Sequence, residues 1–272
     1  MSVHQLSIGD IKCAVLQEGA AFMDRDSVSA RYPNVDPPDV AAALGDSEPS
    51  GSLNLLFINS GGTRILADVG FGEFGPSGMG GTLQGLDSLG LSPTDVDIVF
   101  LTHFHADHIA GFFTPEGEAI YSNAVFVTMQ AEWDEWMSRW ASSSAEADQQ
   151  NLARFKALRQ RFRFVKAGDE IAPGVSVVDL QGHTHGHAGL LVESGGERLL
   201  HVVDLLHQHF QFANIDWHFS FDTDSEIAVQ TRRRILQHCV DEEILTLFYH
   251  LDFPGLGKVT QEDGTFIWNP AG

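Results

Sequence analysis

Cysteine is scarce in this 272-residue chain: Cys13 and Cys239 are the only two, far apart and in no CxxC arrangement. A disulfide-stapled scaffold is excluded, and two buried free thiols in a cytoplasmic protein are the expectation. Basic residues are few as well. Sixteen Lys and Arg stand against 37 Asp and Glu, for a formal charge of −21. Such a chain repels polyanions at long range, which argues against nucleic-acid binding through phosphate neutralisation. No stretch approaches the roughly 18 uninterrupted apolar residues that a membrane span needs. Met1 to Ala20 lacks a basic region followed by a long apolar run, so no secretory signal is read there. A GxSxG serine elbow is absent too, and neither cysteine lies near the histidine-rich motifs described below.

What the chain does contain is 43% hydrophobic residues, enough for a substantial core. Residues 1–20 alternate apolar and polar positions and read as a first strand or hairpin. Residues 24–51 are rich in Pro, Asp and Ser, with a short helical candidate at Val40–Leu44. This segment reads as an excursion that either packs on a second copy of the chain, giving a homodimer, or forms an ordered surface loop. Leu53–Asn59 and Arg64–Asp68 flank Ser60-Gly61-Gly62, a hairpin signal. Asp97–Thr102 and Val125–Met129 are short apolar runs with the β-branched content of buried strands.

Residues 131–162 carry Trp133, Trp136, Met137, Trp140, Leu152, Phe155, Leu158 and Phe162 at helical spacing, with an interruption at Ser142–Gln150. Val175–Leu180, Gly189–Glu193, Leu199–Val203 and Leu245–Tyr249 are further strands. Ser225–Cys239 fits one helix, with Ser225 as N-cap and Arg232–Arg234 on its surface. Strands then helix, twice over, predict an α+β sandwich: two β-sheets packed face to face with helices outside, spanning 1–272 as one domain.

Chemistry concentrates in His103-Phe104-His105-Ala106-Asp107-His108, directly after a buried strand. Three imidazoles and a carboxylate converge within six residues only if a divalent cation compensates their crowding. By chance, HxHxDH is expected in roughly two or three such sequences per thousand. Gly182-His183-Thr184-His185-Gly186-His187 offers at least one more ligand, and spacing leaves open which. Asp204 ends an apolar run, where a carboxylate is costly to bury unless paired or metal-bound. His250 ends a strand in the same way. His4, His218 and His238 have surface or packing settings.

Together, the HFHADH run, the GHTHGH segment, Asp204 and His250 resemble the metallo-β-lactamase superfamily from about Leu53 to the end. Asp222, Arg232–Arg234 and His250-Leu251-Asp252-Phe253-Pro254-Gly255-Leu256-Gly257 are similar to its methyl parathion hydrolase and lactonase branch. The resemblance implies an αβ/βα fold of two mixed sheets with metals at one edge. It places His103, His105 and His183 on one divalent ion and Asp107, His108 and His250 on a second, with Asp204 bridging. Zinc is the expected metal, with manganese, cobalt or iron admitted by the same N/O ligation. Asp68 would hydrogen-bond a ligand histidine. Lys258 and His185 depart from the branch pattern, where His and Pro are usual.

The implied activity is a binuclear metal-dependent hydrolase. A metal-bridging hydroxide would attack a small neutral ester, whether a lactone, an aryl ester or an organophosphate triester, with Asp204 and Asp107 as catalytic carboxylates. The alternatives are a mononuclear iron persulfide dioxygenase and a metal-dependent nuclease of the same superfamily. The HxExD pattern of the flavin-linked di-iron branch is missing. Phe210, Phe212, Trp217 and Phe219 are candidates for a substrate pocket, whereas Trp133 and Trp136 are assigned to the helix-face core.

Overall fold

The structure is a computed structural model that describes residues 2–46 and 49–271. Its first half builds one sheet, in which strand order along the sheet equals order along the chain: β1 (Val3–Ile8), β2 (Ile11–Phe22), β3 (Ser50–Ser60), β4 (Thr63–Ala67), β5 (Ile98–Phe100), β6 (Val125–Met129) and β7 (Phe162–Val165). The first three pairings are antiparallel and the last three parallel, so the sheet is mixed. The second half repeats the plan. Strands β8 (Glu170–Ala172), β9 (Val175–Asp179), β10 (Ala188–Ser194), β11 (Glu197–Val203), β12 (Leu245–Phe248), β13 (Leu256–Glu262) and β14 (Thr265–Pro270) also lie in chain order. All are antiparallel neighbours except the parallel pair β11–β12.

Both faces of the central strands are buried, and period-2 alternation sorts the side chains between two cores. Cys13, Val15, Leu56, Ile58 and Ile65 from the first sheet meet Val175, Val177, Leu190, Val192 and Leu247 from the second. That is the layer between the sheets. Their sequence neighbours Ala14, Leu16, Leu55, Phe57 and Leu66 face the other way, into a second cluster shared with the helices. The free thiol of Cys13 belongs to the inter-sheet layer, and Cys239 to the helical one.

Among the described residues, seven α-helices decorate the sandwich: α1 (Arg25–Ser29), α2 (Pro37–Leu44), α3 (Thr82–Ser88), α4 (Ala106–Ile109), α5 (Gln130–Ser142), α6 (Glu146–Ala157) and α7 (Ser225–Asp241). The helical stretch expected over 131–162 is two helices broken only at residues 143–145. It stops earlier than its apolar spacing suggested: after a 3-10 turn, Phe162 opens β7, where it packs on Phe126 and Trp133. Helix α7 is capped by Asp224, whose side chain accepts the Ile227 N–H, rather than by Ser225. Arg232, expected on the surface, is 1% exposed. It lies one turn from Ala228 and one from Ile235 and Leu236, on the buried face of α7.

The 24–46 segment is ordered and folds back on its own chain. Val28, Tyr32, Val40 and Leu44 pack with Phe219, joined by Phe210 and Trp217. The Tyr32 ring meets Phe210, Trp217 and Phe219 at 5.0, 6.0 and 5.7 Å.

Candidate metal centre

Four loops meet at one edge of the sandwich. The loop after β5 brings His103, His105, Asp107 and His108; those after β9, β11 and β12 bring His183, Asp204 and His250. The backbone is bent sharply to do so. Asp68 and Val203 adopt φ of 63° and 51°, and a left-handed conformation is unusual for a β-branched residue. Each immediately follows or ends a strand beside the site, and Val203 aims Asp204 inward.

The seven expected side chains come together in two groups. His103, His105, His183 and Asp204 form one; Asp107, His108, Asp204 and His250 form the other; in each, one donor atom per residue lies within 4.8 Å of all the rest. Asp204 is common to both. Its Oδ2 is 3.3 Å from His183 Nε2 and 3.0 Å from His250 Nε2, and its Oδ1 is 3.2 Å from His108 Nε2. Asp107 Oδ2 sits 3.6 Å from both His108 Nε2 and His250 Nε2.

Three rings are oriented from behind in the same manner. His108 Nδ1–H donates to Asp68 at 2.8 Å, His183 Nδ1–H to Asp222 at 3.0 Å, and His103 Nδ1–H to the Thr102 hydroxyl at 3.1 Å. The Thr102 hydroxyl in turn donates to Asp68, which also accepts the Thr102 N–H. With Nδ1 engaged, each Nε2 turns toward Asp204, the orientation that outer carboxylates impose on metal-binding histidines. Asp222 is itself held by the buried guanidinium of Arg232, which also donates to the Leu205, Ile215 and Trp217 carbonyls.

Does this donor set fit a cation? His108 Nε2 and Asp204 Oδ1 are buried, face each other, and have no hydrogen-bond partner of proper geometry among the described residues. His105 Nδ1 is 3.1 Å from His103 Nε2 and 2.9 Å from His183 Nε2, so three ring nitrogens point at one small volume. Unpaired buried polar atoms are costly, and mixed imidazole and carboxylate donors suit divalent zinc and its neighbours. The residues fit.

Electrostatics prepare the donors. Burial holds His103 well below the ordinary imidazole value and His105 down at about 2, so both rings stay neutral with lone pairs free. Burial also opposes charge on His108, yet Asp204, Asp107 and Asp68 overcome it and raise the ring well above its usual value. His183 is likewise pushed up, to about 9, by hydrogen bonds to Asp204 and Asp222 that outweigh its burial. For Asp204 burial raises, but His250, His108 and His103 hold the carboxyl well below the usual range.

Of the histidines left open by spacing, His187 is buried behind the centre. Its Nδ1–H donates to the Leu180 carbonyl, and Nε2 accepts the Asp204 N–H at 3.4 Å. His185 points outward to Glu135 at 2.7 Å, so the departure at that position is matched by a surface partner. Lys258 is exposed on β13. Sequence reasoning missed His207, whose Nε2 lies 3.2 Å from Asp204 Oδ2 and whose ring stacks on Phe219 at 3.8 Å. Its position three residues after Asp204 was the available signal. Tyr249 was missed as well; its hydroxyl donates to the Asp107 carbonyl and its ring stacks on His108 at 4.2 Å.

A cavity of about 350 Å³ opens over Asp107, Asp204 and His250, walled by Met23, Leu53, Phe71, Met79, Phe219 and Phe221. A second, about 360 Å³, reaches His105 from the other side past Trp136. Trp136 therefore lines a cavity beside His105, 5.6 Å from its ring, instead of serving only as core. Trp133 is buried as expected. Phe219 lines the first cavity as expected, but Phe210 and Trp217 pack on Tyr32, Phe212 packs on Phe248 and Trp268, and none of these three lines either cavity.

Fold and site together define a two-sheet sandwich with a divalent-metal donor set at one edge. The profile of the metallo-beta-lactamase superfamily matches residues 51–248, and the chain belongs to that superfamily. Among solved structures, AidC, a dizinc quorum-quenching lactonase, superposes with a TM-score of 0.89 at 25% identity over 99% of this chain and 97% of its own. The hydrolase AbOPH superposes with a TM-score of 0.86 at 28% identity over 99% and 97%. An N-acyl homoserine lactonase from Bacillus sp is 25% identical over 167 residues, 61% of this chain. The matched region spans 60% of the length of that relative, and the same share of a second such lactonase from Bacillus cereus. Among the described residues, no helix is long and apolar enough to cross a membrane.

Proposed function

We propose that the chain is a binuclear metal-dependent hydrolase of small neutral esters, with lactones the favoured class. One observation carries the reading: two donor groups share Asp204 on the floor of a cavity with apolar walls. His103, His105 and His183 would hold one ion, Asp107, His108 and His250 the other, and Asp204 would bridge. When bound, a divalent pair acidifies water and polarises the ester carbonyl.

The chain's own residues do the rest. Asp68, Asp222 and Thr102 fix the rings and their tautomers. Asp204 counters cationic charge from between the two groups. Asp107, 23% exposed and open to the cavity, is placed to take the proton that the attacking water gives up and to hand it to the departing alcohol oxygen. Met23, Leu53, Phe219 and Phe221 exclude water and receive an apolar acyl or aryl portion. The AidC and Bacillus lactonase likenesses support a lactone before a phosphotriester.

Elemental mass spectrometry on protein purified without chelator, paired with a screen of lactones, aryl esters and phosphotriesters, tests the reading. Two equivalents of zinc, cobalt or manganese with lactone turnover are expected. One equivalent of iron, no hydrolysis and oxygen uptake with persulfides would replace it.

A further inference from the structure

Glu132 has no place in the reading above, yet it is fully buried at the start of α5 and both its oxygens are engaged. Oε1 accepts the Phe104 N–H at 2.8 Å. Oε2 accepts the Thr184 hydroxyl at 2.6 Å and the Gly186 N–H at 3.1 Å. Phe104 stands between His103 and His105, and Thr184 directly follows His183. One carboxylate therefore joins the two loops that carry the three histidines of the first donor group, and at Phe104 and Thr184 it does so directly beside a donor. Gly186 allows the approach: a Cβ there would come within 2.2 Å of the Glu132 backbone nitrogen.

The second group is fastened elsewhere. His108 rests on Asp68 and Tyr249, and the Asp107 carbonyl accepts from Tyr249. No hydrogen bond of Glu132 reaches that side among the described residues.

We propose that Glu132 is a positioning residue for one metal only: its carboxylate sets the separation of His103 and His105 from His183, and so governs the first metal while leaving the second unaffected. This rests on the binuclear reading of the site. A carboxyl group suits the task because three donors converge on it from two loops, and their hydrogen bonds favour its ionised form against the burial that pushes it up to about 7. Glutamine, of the same shape, can accept at one oxygen alone and leaves one loop facing an amide N–H₂.

The experiment uses the full chain as wild type, Glu132→Gln, Thr184→Val and Thr184→Ser. Each is stripped of metal and titrated with zinc against a chromophoric chelator, with the melting temperature of the metal-free protein as a check of folding. Wild type is expected to take two equivalents. Glu132→Gln and Thr184→Val are expected to keep one tight equivalent and to weaken the other by about 10–100-fold, with Thr184→Ser restoring it. Unchanged affinity at both equivalents in Thr184→Val would overturn the proposal. So would equal weakening of both, which would mark Glu132 as a general cross-link of the fold. Should Glu132→Gln fail to fold, the Thr184 pair decides alone. Wild-type protein that takes only one equivalent would overturn the binuclear reading itself, and this inference with it.

Discussion

Asp204 gathers the imidazoles of His103, His108, His183, His207 and His250 within 3.7 Å of its two oxygens. Replacing it with alanine is expected to abolish binding of both metals and lower ester turnover at least about a hundredfold, read by metal content and rate on the same sample. His4→Ala, on β1, should leave both unchanged. A second buried carboxylate gives a pH prediction. Glu18 accepts the Gly72 and Gly80 N–H groups, but its Oε2 has no hydrogen-bond partner among the described residues, and burial pushes its carboxyl up from 4.5 to about 7. Between those values the folded state holds a proton that the unfolded chain releases, so this contribution to stability is complete below about pH 4.5 and is lost as pH rises through 7. Glu18→Gln should therefore gain on wild type from pH 5 to pH 8, by about 2 kcal/mol in urea unfolding of metal-free protein. Equal behaviour at both values would mean that Glu18 is not held protonated.

At the scale of elements, local pattern and tertiary context divide the outcome. The strand before His103 and the hairpin around Ser60-Gly61-Gly62 were legible because alternation and turn chemistry are local. Six of the seven expected donors stood out as residues, since His and Asp crowd into short motifs or end apolar runs; the seventh, His183, came from the family resemblance, and the convergence of all seven required the fold. The choice of His183 over His187 was not legible from spacing, because both are buried and only the loop's path separates them. Strand β14 was missed although Asp263-Gly264, with φ of 48° and 82°, marks its hairpin. Arg232 was misread because three consecutive arginines look like a solvated face. Helical periodicity sets Arg232 on the Ala228–Ile235 side, while Arg233 pairs with the exposed Asp216 and Arg234 with the half-buried Asp179. Truncation to Arg232→Met should cost about 3–5 kcal/mol in chemical denaturation, since the buried Asp222 would lose its guanidinium partner and keep only His183 and the Phe219 N–H. Adding Asp222→Asn should recover part of that loss. Asp222→Asn alone should weaken metal binding about 10–100-fold through His183.

At the scale of the molecule, the Pro-, Asp- and Ser-rich segment at 24–51 reads from sequence as an excursion or an ordered surface loop. Its part at 24–46 packs within its own chain, residues 47 and 48 lie outside the described residues, and Ser50 already opens β3. Tyr32 pins the 24–46 part to Phe210, Trp217 and Phe219, while Met23 and Arg31 border the cavity over Asp204. Its apolar anchors are widely spaced among prolines and acids, so no periodicity announced them. Tyr32→Ala is expected to expose 24–46 to limited proteolysis and to raise KM more than it lowers kcat. A KM that stays put in a protease-sensitive variant would separate the segment from substrate binding.

The two sheets, each laid out in chain order, have a consequence of their own. The polypeptide passes from one sheet to the other once, through the exposed turn at residues 166–168 between β7 and β8. Four of the seven donors precede that turn and three follow it. A break there would separate two whole sheets without interrupting either, and neither piece would carry a complete donor group. Co-expressed fragments 1–167 and 168–272 should thus be inactive singly and reassemble into a hydrolase whose association tightens with divalent metal. The centre would then serve as a clasp between two halves, and metal dependence of fragment binding would measure how strongly it closes.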